Sequence, residues 1–369
     1  MVRPPDALTR LARRPTDPRL TAHLGLWLAG AFTVCLVTGL ISHAIQHPPG
    51  WWRWPSRPVH LYRLTQGLHV ATGLACFPLL TAKVWSVYPK LFAWPPVRGV
   101  AHALERGTVA LLSAAALFEL VTGLLNIAYW YSLMPFGFVG AHYWTAWLLA
   151  GAVLLHVAAK LPVLRAPTPS PSARRSRRAV LGLVGAAAGV ITLATAGQTV
   201  RPLRRLSLLA PRLPDVGPQG VPVNKTAAAA GVTAVDGGYR LVVTGPGGRH
   251  ALSLADLEAM PQHTVSLPIA CVEGWSADAE WTGVRVADLL RLVGAAGLAV
   301  TVESLQRDGG YRTSTVDARL AQDPLTLLAL RLHGEPLHPD HGYPCRLIAP
   351  DRPGVLQTKW VGALTVVSP

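Results

Sequence analysis

The chain has 369 residues, of which half are apolar and only 14% are charged, and its formal net charge is +15. So few charges, together with a positive mean hydropathy, are unusual for a soluble protein and indicate membrane-spanning segments. The positive charge lies in short segments between apolar stretches, so it does not indicate a nucleic-acid-binding protein. The four cysteines, Cys35, Cys76, Cys271 and Cys345, indicate no disulfide framework; a Cys271–Cys345 pair outside the cytoplasm is a less favoured alternative to one ligand and one packed thiol.

Five long apolar stretches predict transmembrane helices. Residues 21–46 contain no charged side chain, and residues 107–159 contain one, Glu119. Five runs of about 20 apolar residues match the thickness of a bilayer and disfavour the alternative, buried helices of a soluble protein. The predicted spans are about 21–43, 62–86, 106–128, 142–162 and 179–199.

The distribution of lysine and arginine predicts the orientation of these spans. Fifteen such residues lie in the N-terminal tail and in the second and fourth connections, against three in the first connection and none across 129–142. By the positive-inside rule the N-terminus is cytoplasmic. Five spans then place the C-terminal domain outside, as expected of a multi-pass protein of a bacterial cell membrane.

The segment between the fourth and fifth spans is rich in Pro, Ser and Arg and has no apolar period, so it predicts a linker. Its end, Ser176 to Gly182, resembles a twin-arginine export signal; ordinary positive-inside flanking is the alternative. The predicted organisation is a cytoplasmic tail at 1–20, a four-helix transmembrane cytochrome b-like domain at 21–164, a cytoplasmic linker at 165–178, a fifth helix at 179–200 and an outer domain at 201–369.

The outer domain is expected to be α+β. Short strand-like runs alternate with turns, and two helical patches each follow a start signal. The predicted strands include Tyr239–Thr244, Val265–Ile269, Val300–Ser304 and Arg346–Ile348, and the helical patches are Leu254–Ala259 and Val286–Val293.

One cysteine of this domain, Cys271, ends an apolar strand-like run and precedes a turn rich in Gly and Trp. Alone, it cannot be half of a CxxC metal clip. It is a nucleophile, a single soft ligand to a metal, or a buried apolar residue. Two further runs, Pro336–Arg346 and Pro350–Trp360, favour the metal ligand.

Together these runs resemble the molybdopterin domain of the sulfite oxidase superfamily over about the last 150 residues. Cys-Val-Glu-Gly-Trp-Ser followed by Trp-Thr-Gly is similar to the branch that contains the periplasmic methionine-sulfoxide reductase catalytic subunit. The resemblance implies that Cys271 gives its thiolate to molybdenum as the catalytic ligand. It implies contacts with the cofactor for Asn224, His341, Arg346, Gln357, Thr358 and Lys359.

Physical chemistry agrees with these roles, because a thiolate suits a soft metal and a phosphate suits the fork of an arginine with a lysine beside it. The chain also departs from the family. Ala227 and Ala228 stand where the reductase branch has a Tyr-Glu pair. Glu273-Gly274-Trp275 stands where the sulfite oxidases proper have an arginine-bearing turn.

Several histidines lie in the predicted spans, where a histidine is costly and is by default a functional candidate. His142 and His156 are fourteen residues apart, close to four helical turns, so both lie on one face of the fourth span about 21 Å apart. That spacing suits one axial ligand to each of two stacked haems. Hydrogen-bonded histidines of a helix bundle are the alternative.

This pattern resembles the dihaem cytochrome b subunit of formate dehydrogenase and nickel-iron hydrogenase, with one ligand on the first helix, one on the second and two on the fourth. It implies two haem b groups, an outer one held by His69 and His142 and an inner one held by His23 and His156. His43 is the alternative outer ligand. Glu119 is either a proton carrier for a quinone site or a hydrogen-bonded core residue.

The sequence therefore predicts a membrane-bound molybdopterin-dependent oxidoreductase that passes electrons between a membrane quinone and an extracytoplasmic substrate through haem b. The expected chemistry is oxygen-atom transfer, as S- or N-oxide reduction of a small-molecule or protein-bound substrate. The expected partners are membrane lipid and quinone, with no nucleic acid and an open oligomeric state. The alternatives are a sulfite-type oxidase with a haem-free anchor and a non-catalytic electron-transfer or assembly subunit.

Overall fold

The structure is a computed structural model that describes residues 18–91, 93–164, 171–232 and 238–367. These residues form two compact units. The helical unit comprises the described residues up to Gly39, Leu68–Gly197 and Leu206–Pro211. The sheet unit comprises Leu40–Gly67, Gln198–Arg205 and the described residues from Arg212 onward.

Five long helices cover the five apolar stretches, and each is long and apolar enough to cross a membrane. Large apolar side chains such as Leu26, Leu117 and Leu154 are exposed on them. Burying so little of their apolar surface within the chain is compatible with a membrane anchor. The helices are α1 (Pro18–Gln46), α2 (Leu61–Leu91), α3 (Val100–Ile127), α4 (Phe138–Leu164) and α5 (Pro171–Ala196).

Helix α5 begins earlier than predicted. Its first residue is Pro171, so residues 171–178, expected to belong to the linker, are helical. Proline is well tolerated in the first turn because an N–H there has no partner within the helix. The rest of the predicted linker, 165–170, and nearly all of the predicted N-terminal tail lie outside the described residues.

The sheet unit contains two five-stranded sheets. In the first, the strand order is β2-β1-β10-β5-β6, with β1 and β10 parallel and the other pairs antiparallel. In the second, the order is β3-β4-β7-β8, and β9 pairs with β7. The strands are β1 (Leu241–Gly245), β2 (Gly248–Leu252), β3 (His263–Ala270), β4 (Ser276–Arg285), β5 (Val300–Ser304), β6 (Thr313–Val316), β7 (Leu327–Leu332), β8 (Glu335–Pro336), β9 (Arg346–Ile348) and β10 (Val361–Val366).

The short helices of this unit are α6 (Leu254–Ala259), α7 (Val286–Leu292) and α8 (Ala318–Ala321). Helix α6 has the predicted bounds, because Ser253 and Asp256 form a reciprocal cap at its start. Strands β5 and β9 also match the predicted bounds. In β5 the buried residues alternate along the strand, as expected for one face packed on a core. The predicted helical region followed by a sheet-rich domain is confirmed.

The hairpin of β3 and β4 positions the candidate site. Eight consecutive residue pairs join the strands, from His263 opposite Gly283 to Ala270 opposite Ser276. The five residues 271–275 form the turn. Because the register of a hairpin is fixed by its pairs, the position of Cys271 at the start of this turn is fixed as well.

Gly283, in β4, tests how tightly this sheet is packed. A Cβ there would overlap the carbonyl oxygen of Leu328 and lie 2.6 Å from Cα of Ala329. We expect Gly283→Ala to destabilise the sheet unit by about 1–3 kcal/mol, because overpacking forces the backbone of β7 to move. The measurement is the Tm of the full chain in detergent, followed by tryptophan fluorescence.

The control for this substitution is Gly310→Ala. A Cβ at Gly310 would meet no atom within 4 Å, so its Tm should equal that of the unsubstituted chain. Equal Tm values for the two variants would contradict the close packing of β4 on β7.

Candidate functional site

Cys271 is held rigidly at the start of the turn between β3 and β4. Its backbone N–H donates to the carbonyl of Trp275 at 2.9 Å, and Gly274 N–H donates to the carbonyl of Cys271 at 3.0 Å. Gly274 has φ +90°, a conformation that glycine adopts without strain. The cysteine is only 1% exposed, so its thiol is fixed in the interior of the unit.

Burial raises the pKa of the Cys271 thiol, and the neighbouring Glu273 raises it further, while Arg212 and Lys359 lower it. Without a ligand the thiol is therefore protonated at neutral pH. This opposes a free thiolate nucleophile, which needs a lowered pKa. A thiolate at this place needs a cation bonded to it, which is what a metal supplies.

Cys271 lines a narrow, partly open cleft. Three of the residues predicted to contact a cofactor line the same cleft: Asn224, Arg346 and Lys359. The structure thus brings together residues that are far apart in the sequence. The other lining residues are Pro222, Ile269, Trp275 and Gly354.

Arg346, in β9, is 2% exposed. Its Nε donates to the carbonyl of Gln357 at 3.3 Å, and one terminal nitrogen donates to the carbonyl of His341 at 3.4 Å. Its guanidinium carbon lies 5.5 Å from the centre of the Trp281 ring. Arg346 therefore links two further predicted residues, His341 and Gln357, to the wall of the cleft.

Lys359 is 9% exposed and precedes β10. Its Nζ donates to the carbonyls of Lys225 and Asp340, each at 2.8 Å. It also lies 5.2 Å from the centre of the Trp360 ring. These contacts hold the ammonium group against two backbone carbonyls, and no carboxylate of the described residues forms an ion pair with it.

Among the described residues, neither Arg346 nor Lys359 forms an ion pair with a carboxylate. Burial lowers the pKa of both groups, and the proximity of Arg346 lowers the pKa of Lys359 further. Two buried cations without anions are costly unless an anion binds beside them. The phosphate of a molybdopterin carries such a charge and accepts hydrogen bonds from both donors.

His341 is buried, and its Nε2 lies 2.7 Å from the carbonyl of Pro218. Burial lowers its pKa to about 4, so the ring is neutral at neutral pH. The contact with Pro218 then assigns the ring proton to Nε2 and makes Nδ1 an acceptor. Nδ1 has no partner in the described residues, and neither has Oε1 of Gln357. Both acceptors suit the N–H groups of a pterin.

Thr358 and Asn224 differ in their positions. The Thr358 hydroxyl shares a hydrogen bond of 2.7 Å with Ser314, and Thr358 is not among the residues that line the cleft. Asn224 lines the cleft, and its Oδ1 accepts from the backbone N–H of Lys225 at 2.9 Å.

Two charged residues of the site, Glu273 and Arg352, were not assigned from the sequence. Glu273 is buried next to Cys271, accepts from Trp275 Nε1 at 3.0 Å and lies 3.6 Å from Arg212. Arg352 is buried, and its Nε has no partner in the described part of the chain. The signals were the position of Glu273, two residues after the cysteine, and the charged pair Asp351-Arg352 between two prolines.

The candidate outer haem ligands belong to the helical unit. His142 Nε2 lies 3.1 Å from Glu119, and its Nδ1 lies 3.0 Å from the hydroxyl of Thr122. His69 Nδ1 lies 2.8 Å from the carbonyl of Cys35. His69 and His142 are close enough for their charges to interact. The structure therefore brings the two residues near each other, and their role as haem ligands stays a prediction.

The candidate inner ligands lie on α1 and α4. His23 is exposed, and its Nδ1 lies 2.7 Å from the carbonyl of Arg19. His156 is half-buried. Their pairing across an inner haem also stays a prediction.

Comparisons with known proteins agree with the geometry of the sheet unit. A family model, the oxidoreductase molybdopterin binding domain, matches residues 229–369. Rat mitochondrial sulfite oxidase is 32% identical over 159 residues, which cover 35% of this chain and 29% of that protein. The oxidoreductase YuiH of Bacillus subtilis is 35% identical over 111 residues, 30% of this chain and 55% of YuiH.

A further relative is the YedZ1 subunit of Azospira oryzae, whose name assigns it to a protein-methionine-sulfoxide reductase. It is 37% identical over 131 residues, 35% of this chain and 49% of YedZ1. The chain spans about half or less of the length of these curated relatives. Residues 229–369 therefore match a molybdopterin-binding domain shared with sulfite oxidases, and this match supports a molybdenum-dependent oxidoreductase.

Proposed function

We infer that this protein is a membrane-bound, molybdopterin-dependent oxidoreductase that reduces an S- or N-oxide outside the cytoplasm with electrons from a membrane quinone, relayed by haem b. The observation that carries this proposal is the buried cleft that joins the Cys271 thiol to the unpaired cations Arg346 and Lys359. The soft thiol suits the molybdenum of a molybdopterin cofactor, and the anion-binding site beside it suits the phosphate of that cofactor.

Each residue of the cleft has a role that follows from its own chemistry. Cys271 would hold the metal, Arg346 and Lys359 would bind phosphate oxygens, and Nδ1 of His341 would accept a hydrogen bond from the pterin. The bound cofactor would supply two-electron, oxygen-atom transfer chemistry. The protein binds and orients the cofactor and excludes water, since the thiol and both cations are buried.

Glu273 favours an oxide over sulfite as the substrate. Its carboxyl group is buried beside Cys271 and is balanced by Arg212 at 3.6 Å. Because Arg212 balances this carboxylate, the turn after Cys271 presents no excess positive charge of its own to attract sulfite, and a neutral sulfoxide needs none. Reduction of a sulfoxide consumes two electrons and two protons and yields a thioether and water.

Support for the membrane and haem part of the proposal comes from the helical unit. Five of its described helices have the length and apolarity of membrane spans. His69 and His142 lie near each other on α2 and α4. Two histidines from facing helices are the usual axial ligands of haem b in a helix bundle. A quinone is the expected electron donor in lipid.

Sulfite oxidation is the second candidate, because the chain is 32% identical to a sulfite oxidase over 159 residues. Turnover with sulfite and a haem-linked acceptor, compared with turnover of a methyl sulfoxide and a reduced quinone, separates the two. Metal analysis separates both from the remaining alternatives. Molybdenum without haem would leave the helices as an anchor, and haem without molybdenum would make the chain an electron-transfer or assembly subunit.

Cys271→Ser tests the metal ligand. A serine hydroxyl is a poor ligand for a soft metal, so we expect a loss of activity of at least about a thousandfold with unchanged haem absorbance. The measurements are molybdenum content, turnover and the reduced-minus-oxidised spectrum of the purified protein.

Cys345→Ser is the matched control, because Cys345 is the other buried cysteine of the sheet unit and its Sγ contacts the Tyr239 hydroxyl at 2.9 Å. A serine keeps that hydrogen bond, and activity should stay within about threefold of the original. Full activity of Cys271→Ser at equal molybdenum content would remove the ligand assignment.

Lys359→Met tests the anion site. The substitution removes the desolvation cost of a buried charge, which stabilises the apoprotein, and two hydrogen bonds to carbonyls, which destabilises it. These effects oppose each other, so the Tm of the apoprotein should change by only a few degrees. Bound pterin should fall at least about tenfold, because a charge-assisted contact to phosphate is lost. Pterin fluorescence after oxidative release measures the occupancy.

Arg331→Met is the control for Lys359→Met, since Arg331 is a half-exposed cation of the same sheet unit and lies outside the cleft. Pterin occupancy should be unchanged in this variant. Full occupancy in Lys359→Met would contradict a role of Lys359 in cofactor binding.

The haem assignment is tested with His142→Ala and His156→Ala. Each should remove about half of the haem b absorbance of the full chain, because each histidine is assigned to a different haem. His250→Ala is the control, since His250 is exposed on β2. Unchanged haem content in both helix variants would refute the assignment of ligands to α4.

A further inference from the structure

The sheet unit includes the beginning of helix α2 and the segment before it, Leu40–Gly67. Tyr62, in the first turn of this helix, is 1% exposed and is among the largest fully buried side chains of the described residues. Gln66, one turn later, is also buried. A tyrosine and a glutamine buried to this degree must pack against specific partners and satisfy their polar groups.

The partners of Tyr62 and Gln66 are the two chain neighbours of Cys271. Tyr62 packs in one buried cluster with Ala270, the residue before the cysteine. Gln66 Nε2 donates to the carbonyl of Val272, the residue after it, at 3.0 Å. The start of α2 therefore contacts the chain on both sides of the candidate metal ligand.

A second segment of the site is held by the same turn of α2. The backbone N–H of Tyr62 donates to the carboxyl group of Asp351, and Trp54 Nε1 donates to the Asp351 carbonyl at 3.1 Å. A carboxyl group there accepts from an N–H that has no partner within the helix and lies at the positive end of the helix dipole. Asp351 thus serves as a cap supplied from 289 residues away in the sequence.

These two segments are also joined to each other. Ala270 forms a parallel bridge with Pro353, and the next residue, Gly354, lines the cleft. The turn that carries Cys271 and the loop 350–354 therefore share one support. The first turn of α2 therefore contacts both walls of the cleft through Tyr62 and Gln66.

The Tyr62 hydroxyl is fixed in turn by polar residues at the end of α1. It lies 3.2 Å from the hydroxyl of Ser42. Gln46 Nε2 donates to Ser42, and Gln46 Oε1 accepts from the Tyr311 hydroxyl at 2.8 Å. A hydrogen-bond network whose members are buried or half-buried has few alternative arrangements and holds its members in one geometry.

We propose that Tyr62 and Gln66 are positioning residues of the molybdenum site, which fix the Cys271 thiolate by holding Ala270, Val272 and Asp351. The proposal rests on the proposed function only in naming Cys271 as the metal ligand. If the start of α2 only attached this segment to the rest of the sheet unit, contacts at any position on the sheets would be sufficient. Contacts at both neighbours of one cysteine set the direction of its Sγ, and the bond from sulfur to metal is sensitive to that direction.

The first test uses Gln66→Leu in the full chain, purified in detergent from cells that do not make the pterin cofactor. The substitution removes the donor to Val272 and keeps the volume of the side chain. Hydrogen exchange of the Cys271 and Gly274 amides, which close the turn, should accelerate about fivefold, as expected when one buried hydrogen bond is lost. Exchange in β5, which belongs to the other sheet, should not change.

Gln322→Leu is the matched control, because Gln322 is exposed after α8. It carries the same substitution and should leave exchange in the turn unchanged. Tyr62→Phe provides a second comparison, since it keeps the ring beside Ala270 and removes only the hydroxyl. It should accelerate exchange less than Gln66→Leu.

The second test uses the cofactor-loaded full chain. At equal molybdenum content, Gln66→Leu should change the electron paramagnetic resonance signal of the Mo(V) state and lower kcat at least about fivefold, with KM within about twofold. A purely structural role would change the Tm and leave this signal as it was. The unsubstituted protein, purified in parallel by the same procedure, should show the original Mo(V) signal, which excludes an effect of the purification.

Unchanged exchange in the turn together with an unchanged Mo(V) signal overturns the proposal. Absence of molybdenum from the unsubstituted protein would instead refute the proposed function. In that case the exchange measurement still decides whether Gln66 holds the turn, because it needs no cofactor.

Discussion

The site depends on two positive charges buried without negative partners. Arg346 and Lys359 lie in the interior of the sheet unit, and no described carboxylate pairs with either. Burying such cationic groups is costly, and hydrogen bonds together with an anionic ligand would lower that cost. Carbonyls of the chain supply the hydrogen bonds, and an anionic cofactor would supply the charge. The charges of this domain therefore favour the binding of a negatively charged ligand.

The thiol of Cys271 is also buried, but its ionised form is an anion and therefore needs a cation beside it. Burial and Glu273 favour its protonated form, while Lys359 favours the thiolate. The two cations form no ion pair with a described carboxylate, and the buried thiol stays protonated unless a metal binds it. A molybdenum centre carried by a pterin phosphate would meet both needs at once. Binding of the cofactor and ionisation of the thiol are then coupled, because each lowers the cost of the other.

Local sequence patterns predicted the parts of the fold that depend on neighbouring residues. Strand β5 has its predicted bounds because its apolar residues alternate, and α6 has them because Ser253 caps it. Cys271 and its cofactor contacts were assigned by motif; all of them except Asn224 lie within the residues that the family model matches, and their roles stay predictions. The start of α5 at Pro171 was missed, because an arginine-rich segment without an apolar period can still continue a helix.

Contacts between distant residues could not be predicted. Glu273 is balanced by Arg212, and Asp351 caps α2 at Tyr62, yet nothing in the intervening sequence signals either pair. Such pairs depend on how hairpins and loops are brought together by the sheets. They also explain why a resemblance confined to one domain leaves part of the site undescribed. The residues that hold Cys271 from α2 lie before the matched region, so the family pattern contains no trace of them.

The contacts of Tyr62 and Gln66 with the turn of Cys271 suggest an advantage of having the start of α2 and the cofactor domain in one chain. Two separate proteins would have to lose translational and rotational freedom each time they assembled, a cost of several kcal/mol. Within one chain this entropy is lost once, during folding. A single hydrogen bond, such as that from Gln66 to Val272, can then contribute fully to holding the turn of Cys271 in one conformation. A support built from few contacts is then sufficient. It also makes the geometry at Cys271 depend on the first turn of α2, because Tyr62 and Gln66 contact the two chain neighbours of this cysteine.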